Sequence, residues 1–161
     1  MNVKIRKPFD GEYKVTFKFG AAPHWYVNRI GFPHSGIDYD LPVGTPVFAC
    51  DDGVVVEIDY HPTGWGHFVR ISHKWGISHY AHLKNAPVTI GELVDSDSLI
   101  GLSGRSGWVT GPHLHFGIKV AGVPALEMKG WVDPTPYFVG HEAVDLITCP
   151  QCGFVFPIVG K

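Results

Sequence analysis

The chain has 161 residues, 45% of them hydrophobic, and a formal net charge of −2. That length and apolar content suit one compact domain with a short appendage rather than two full domains. The near-neutral balance gives no electrostatic footprint for nucleic acid or an anionic membrane surface, so no nucleic-acid partner is expected, and no apolar run is long enough for membrane insertion.

The opening stretch, Met1-Asn2-Val3-Lys4-Ile5-Arg6-Lys7-Pro8, carries positive charge with no apolar run behind it. It is therefore expected to contain no signal peptide, with synthesis in the cytoplasm. Residues 1–16 read as an N-terminal extension that pairs at a sheet edge, and Tyr13 to Gly20 alternates like a strand ended by glycine. Pro23-His24-Trp25-Tyr26-Val27-Asn28-Arg29 reads as a polar, aromatic loop. His34-Ser35-Gly36-Ile37-Asp38 and Leu41-Pro42-Val43-Gly44-Thr45-Pro46 follow as turn-rich connections. Strand-like runs then come at short intervals: Val47 to Ala49, Gly53 to Ile58, His67 to Ser72, Ile77 to His82, Leu99 to Leu102 and His113 to Val120. One short helix fits around Ala125 to Lys129. Twenty glycines and thirteen prolines, with scarcely any helical periodicity, predict an all-β fold, a compact antiparallel domain over residues 17–138.

Residues 139–161 change character and carry Cys149-Pro150-Gln151-Cys152. Three cysteines close no disulfide framework, and a tetrahedral structural zinc needs four ligands. Cys149 and Cys152 therefore read either as half of a second zinc site, completed by His141 or by another copy in a dimer, or as two free thiols in a tight turn. A monomer is otherwise expected.

Ten histidines are the outlier in the composition, and they bring metal chemistry forward. In Gly111-Pro112-His113-Leu114-His115-Phe116-Gly117 the alternation places His113 and His115 on one strand face and turns Leu114 and Phe116 towards a core. His34 and Asp38, four apart, are both good zinc-ligand types. With one histidine of that strand they make three protein ligands and leave a fourth position for water, the arrangement of a catalytic zinc. Bound zinc lowers the pKa of its water to about 7. His82, in Tyr80-Ala81-His82-Leu83, and whichever strand histidine is not a ligand are the candidates for accepting the proton and supporting developing charge. Singly, each feature has a bland reading: two solvent-facing histidines, a local turn hydrogen bond, a strand-end histidine satisfied by backbone.

His34-x-x-x-Asp38, Gly44-Thr45-Pro46-Val47, Asp52-Gly53-Val54-Val55, Tyr80-x-His82-Leu83, Ile100-Gly101-x-Ser103-Gly104-x-x-Gly107 and Gly111-Pro112-His113-Leu114-His115-Phe116 together resemble the lysostaphin-type (LytM-domain) zinc metallopeptidases, a murein endopeptidase family. The likeness runs in order from about Phe17 to Pro134. It implies a fold of duplicated-hybrid-motif type, with a groove across one sheet for an extended peptide. It also implies one catalytic Zn2+ on His34, Asp38 and His115, with His82 and His113 as the catalytic histidines. The implied activity is zinc-dependent hydrolysis of stem-peptide or cross-bridge bonds in bacterial peptidoglycan, at the cell wall after release or export, by a phage-type lysin or a wall-remodelling enzyme. The alternatives are a catalytically silent scaffold that regulates other wall hydrolases and a metallopeptidase acting on glycine-rich proteins. Bond choice is expected to rest on Trp25 to Asn28, His61 to Trp65 and Arg105 to Thr110. Stem-peptide cross-links are favoured because no polyglycine-binding targeting domain accompanies the catalytic one. His67, His73 and His79 read as structural or groove-edge residues.

Overall fold

Short runs of β-branched and aromatic residues cut by glycine and proline make strands of a few residues. In the computed structural model, which describes residues 3–139, 146–148 and 155–157, these are β1 (Val15–Phe17), β2 (Ile37–Tyr39), β3 (Pro46–Phe48), β4 (Gly53–His61), β5 (Gly66–His73), β6 (Gly76–Asn85), β7 (Leu93–Val94), β8 (Leu99–Ser103) and β9 (Leu114–Val120). All pair antiparallel in one sheet of order β1-β2-β9-β6-β5-β4-β7, with β8 joined to β6 and carrying β3. The all-β expectation holds for the sheet. The backbones of β10 (Leu146–Thr148) and β11 (Val155–Pro157) pair antiparallel with each other. His141, Cys149 and Cys152, the expected second half-site, lie outside the described residues.

Two segments differ from the sequence expectation. His24–Ile30, expected as a loop, is the helix α1, closed by Gly31 in the left-handed region with its N–H donating to the Val27 carbonyl. Seven residues are too few to show an apolar stripe, and the only signals were Pro23 before it and Gly31 after it. Ile37 to Tyr39, part of an expected connection, is the strand β2. The short helix expected near Ala125 is a 3-10 turn over Leu126–Met128.

One face of the sheet closes on the core. Val55, Ile71, Tyr80, Leu114, Phe116 and Ile118 have no exposed surface, and each such burial is worth about 1.5–3 kcal/mol. The residues between them on β9, His115, Gly117 and Lys119, take the other face, and that face carries the site.

The stretch before residue 17 does more than border the sheet. Ile5 bridges Phe138 in parallel, with hydrogen bonds from Ile5 N to Tyr137 O at 2.8 Å and from Val139 N to Ile5 O at 2.8 Å. Val3, Ile5 and Phe9 join the buried cluster, and Phe9 packs edge-on to Tyr39 at 4.8 Å. The two ends of the described domain thus seal the core together.

β6 has two partners in succession. It pairs β9 from Gly76 to Ala81 and β8 from Leu83 to Asn85. Between them stands His82 with φ 62, one of two non-glycine residues at positive φ among the described residues. Against β5, His67 faces Leu83 and Val69 faces Tyr80, so Ala81 and His82 oppose Phe68 alone. That two-against-one count is a β-bulge, a device that re-aims a side chain.

Ile5 is 1% exposed. Ile5→Ala should lower the unfolding free energy by about 2–5 kcal/mol in denaturant titration, the range for a buried methyl-rich side chain cut to alanine. A loss under about 0.5 kcal/mol would show that the N-terminal stretch is not part of the cooperative core.

Candidate functional site

Strand register assembles the first three side chains. Asp38 on β2 lies directly opposite His115 on β9, and His34 stands on the turn that leads into β2. His34 Nε2 is 3.0 Å from His115 Nδ1 and 3.1 Å from Asp38 Oδ1, and His115 Nδ1 is 2.9 Å from the same oxygen. The turn reaches His115 because residue 36 is glycine. A Cβ there would meet the Phe116 carbonyl oxygen at 2.4 Å and the His115 ring at 2.8 Å.

Proton counting shows what this triangle can hold. His34 Nδ1 donates to the Lys18 carbonyl at 3.0 Å, so the neutral ring offers only a lone pair at Nε2. That lone pair faces a carboxylate oxygen and a second imidazole nitrogen, and the three repel unless a proton or a cation lies among them. Ligand atoms around a tetrahedral ion with bonds of about 2.0–2.1 Å stand about 3.3 Å apart, close to the edges found here. The three atoms are the candidate metal-binding group of the described residues, and their chemistry fits a metal ion. His115 Nε2, on the far side of its ring, is buried without a hydrogen-bond partner.

Burial pushes the Asp38 carboxyl up, but the close contacts and charge of His115 and His34 outweigh it and hold it well below the usual carboxylate range. Any proton the cluster holds therefore sits on an imidazole. Burial lowers the pKa of His115 despite Asp38 beside it, which favours the neutral ring that a metal needs.

Two more histidines border the triangle. His82 Nδ1 donates to the Ser106 carbonyl at 2.9 Å and His113 Nδ1 to the Gly111 carbonyl at 3.0 Å. Each neutral ring is thereby fixed in the tautomer with a lone pair on Nε2. The ring centroids are 4.5 Å apart, and His113 Nε2 is 3.7 Å from Asp38 Oδ2. Burial, with the charges of His113 and His115, pushes His82 down to about 3. The structure thus gathers His34, Asp38, His82, His113 and His115 in one place.

They sit in a cleft of about 650 Å³. α1 supplies Trp25 and Tyr26, which pack with Phe17 and Trp108. The β4–β5 connection adds Gly64 and Trp65, and the loop before β9 adds Trp108, Val109 and Thr110. All three stretches expected to govern bond choice reach the cleft, the first on a helix instead of a loop. Sequence reasoning missed Arg70, Lys119, Lys129 and Trp131, which also line it. The available signal was the alternation on β9, which puts Lys119 on the face of His115. His79 lies buried in the sheet with Arg70 Nε donating to its Nδ1 at 3.2 Å. His73 is buried elsewhere, stacked on Trp75 at 4.5 Å, and His67 is exposed.

A sequence profile described as Peptidase family M23 matches residues 32–126, a span that contains all five site residues. Peptidoglycan DD-endopeptidase ShyA of Vibrio cholerae is 39% identical over 77% of this chain and 29% of its own length. Among solved structures, the catalytic domain of the antimicrobial peptidase lysostaphin from Staphylococcus simulans matches with a TM-score of 0.66 at 30% identity, covering 78% of this chain and 91% of that one. A zinc containing peptidase from Vibrio cholerae matches with a TM-score of 0.66 at 36% identity, covering 73% of this chain and 37% of that one. The chain thus spans under a third of the curated relative and most of the lysostaphin catalytic domain.

The buried His82 gives a pH signature. Its pKa is about 3 when folded against about 6.5 when unfolded, so the unfolded chain takes up the proton first. The stability it contributes is whole above about pH 6.5 and is lost as the pH falls towards 3. Urea midpoints should therefore fall between pH 7 and pH 4, and less steeply in His82→Asn, whose side chain tolerates positive φ. An identical slope in the two proteins would remove His82 from that account.

Proposed function

The chain belongs to peptidase family M23, and from that premise we propose that it is a zinc-dependent endopeptidase that hydrolyses stem-peptide or cross-bridge bonds of bacterial peptidoglycan. The observation that carries the reading is the His34, Asp38 and His115 triangle, set beside two tautomer-fixed histidines in a cleft open to an extended peptide. A regulatory scaffold has no need to keep all five groups in place. Acting on that polymer puts the protein at the cell wall after release or export.

Zinc held by His34, Asp38 and His115 supplies a Lewis acid and an acidified water. The rest of the chemistry falls to the chain. His113 takes the role of proton acceptor, because its Nδ1 is committed to the Gly111 carbonyl and its Nε2 lone pair faces the cluster, 3.7 Å from Asp38 Oδ2. The same ring then gives the proton to the departing amine. His82, kept neutral by burial, accepts a hydrogen bond at Nε2 and orients the attacking water. The Ser106 and Gly111 carbonyls hold both rings in register throughout.

Digestion of purified sacculi from a Gram-negative and a Gram-positive wall, read by mass spectrometry, tests the reading. New stem-peptide or bridge termini with the wild type, absent with His113→Ala, are expected and would name the bond. Zinc-loaded protein that yields no new termini from either wall would overturn the proposal. The division of roles has its own test. His115→Ala should lose zinc and activity together, whereas His113→Ala should keep zinc and lose turnover by roughly a hundredfold or more. Equal zinc loss in the two variants would refute that division.

A further inference from the structure

The cleft continues past the histidines along the sheet. On β9, His115, Gly117 and Lys119 share a face; across the ladder Gly117 lies opposite His79, and His79 opposite Arg70. Trp131, almost fully buried, covers the middle of this floor, and its ring edge would come within 3.3 Å of a Cβ at Gly117. Four strand residues put Lys119 about 13 Å from His115.

At that far end two ammonium groups collect on aromatic rings. Lys119 Nζ lies 4.6 Å from the centroid of the Trp131 ring and Lys129 Nζ 4.4 Å from that of Phe32. A Cβ on Gly130 would stand 3.8 Å from Lys119 Nζ, which sets the Lys119 head beside the turn that carries Lys129. Both lysines and both aromatic residues line the cleft. Their neighbour Arg70 already has a partner, with Nη1 2.6 Å from Glu57 Oε2. Among the described side chains, no carboxylate lies within 4.0 Å of either lysine. Aromatic seats orient an ammonium group without cancelling its charge. Burial, with the Arg70 charge second, lowers the pKa of Lys119, and a bound anion would favour its charged form.

We propose that Lys119 and Lys129 form an anion subsite that takes a free carboxylate of the bound peptide, about four extended residues from the bond held at the histidine cluster. The inference rests on the endopeptidase reading and narrows its substrate class. A stem peptide carries free carboxylates at its glutamate and at its C-terminus, whereas a glycine bridge carries none. The subsite therefore selects acidic stem peptides over glycine bridges. It also explains how a protein of net charge −2 attracts an anionic peptide: the positive charge is local to the cleft.

The test compares zinc-loaded wild type with Lys119→Ala/Lys129→Ala on two synthetic cross-linked stem-peptide dimers, one with free carboxylates and one fully amidated. Zinc content and thermal midpoint serve as folding controls. The wild type should show a KM for the acid form lower by roughly tenfold or more, as expected for a charge-assisted contact. That preference should shrink at about 1 M salt. In the double variant the KM for the acid form should rise to that for the amide, with kcat changed only a few-fold. Equal KM values for the two peptides in the wild type, or an equal rise for both in the variant, would overturn the subsite and leave the endopeptidase reading standing. A zinc-loaded wild type that cleaves neither dimer would count against the endopeptidase reading instead. Calorimetric binding of the two peptides to the same two proteins then decides the subsite: carboxylate-dependent binding lost in the variant supports it, and binding blind to the carboxylate refutes it.

Discussion

Two imidazole nitrogens and a carboxylate oxygen held about 3 Å apart, with one ring already committed to a backbone carbonyl, repel one another until something positive lies between them. Keeping them there demands a rigid frame, and the sheet supplies it. Asp38 and His115 face each other through strand pairing, so their separation is set by the ladder and not by flexible side chains. Leu114 and Phe116, on either side of His115, are wholly buried and lock the strand from behind. Gly36 lets the His34 turn come down on the ring, and the Lys18 carbonyl fixes which nitrogen of His34 points inward. The core thus holds the strain that the site requires.

The part of this legible in the sequence was the part with a period. Alternation in His113 to Val120 showed one face for histidines and one for the core, and the glycine-punctuated apolar runs showed strands. His34 and Asp38 were different. A spacing of four has no meaning on a strand, and only the ordered set of motifs resembling a known family singled them out; the fold then explained the pair as a turn residue and a strand residue meeting one partner. Seven residues of α1 left no periodic trace, and the bulge that turns His82 to positive φ depends on how β5 and β6 align, which no local pattern records. Lys119 was readable from alternation, yet a charged residue late in a strand looks like any solvated position until Trp131 is packed beside it.

The polar network around Tyr80 follows a contrasting rule. The Ser78 hydroxyl lies 2.7 Å from His73 Nε2 and 2.9 Å from the Tyr80 hydroxyl, which accepts the Cys50 N–H at 2.9 Å. Burial pushes the Cys50 thiol up to about 12, so it stays protonated and unreactive. This network satisfies itself, as buried polar groups must. The histidine cluster needs a shared proton or a cation to reconcile its three facing atoms and leaves His115 Nε2 without a partner, and that difference separates a structural network from a site.

The two carbonyls that fix His82 and His113 belong to Ser106 and Gly111, five residues apart on one loop. That loop is tied at its start by the pairing of Gly104 with His113, and Ser106 Oγ donates to the Leu83 carbonyl while accepting the His67 N–H. His82 on β6 and His113 at the end of the loop therefore lean on a single mount. One loop thus sets the tautomer of both rings, so a displacement of residues 106–111 as a body would move the acceptors of both histidines.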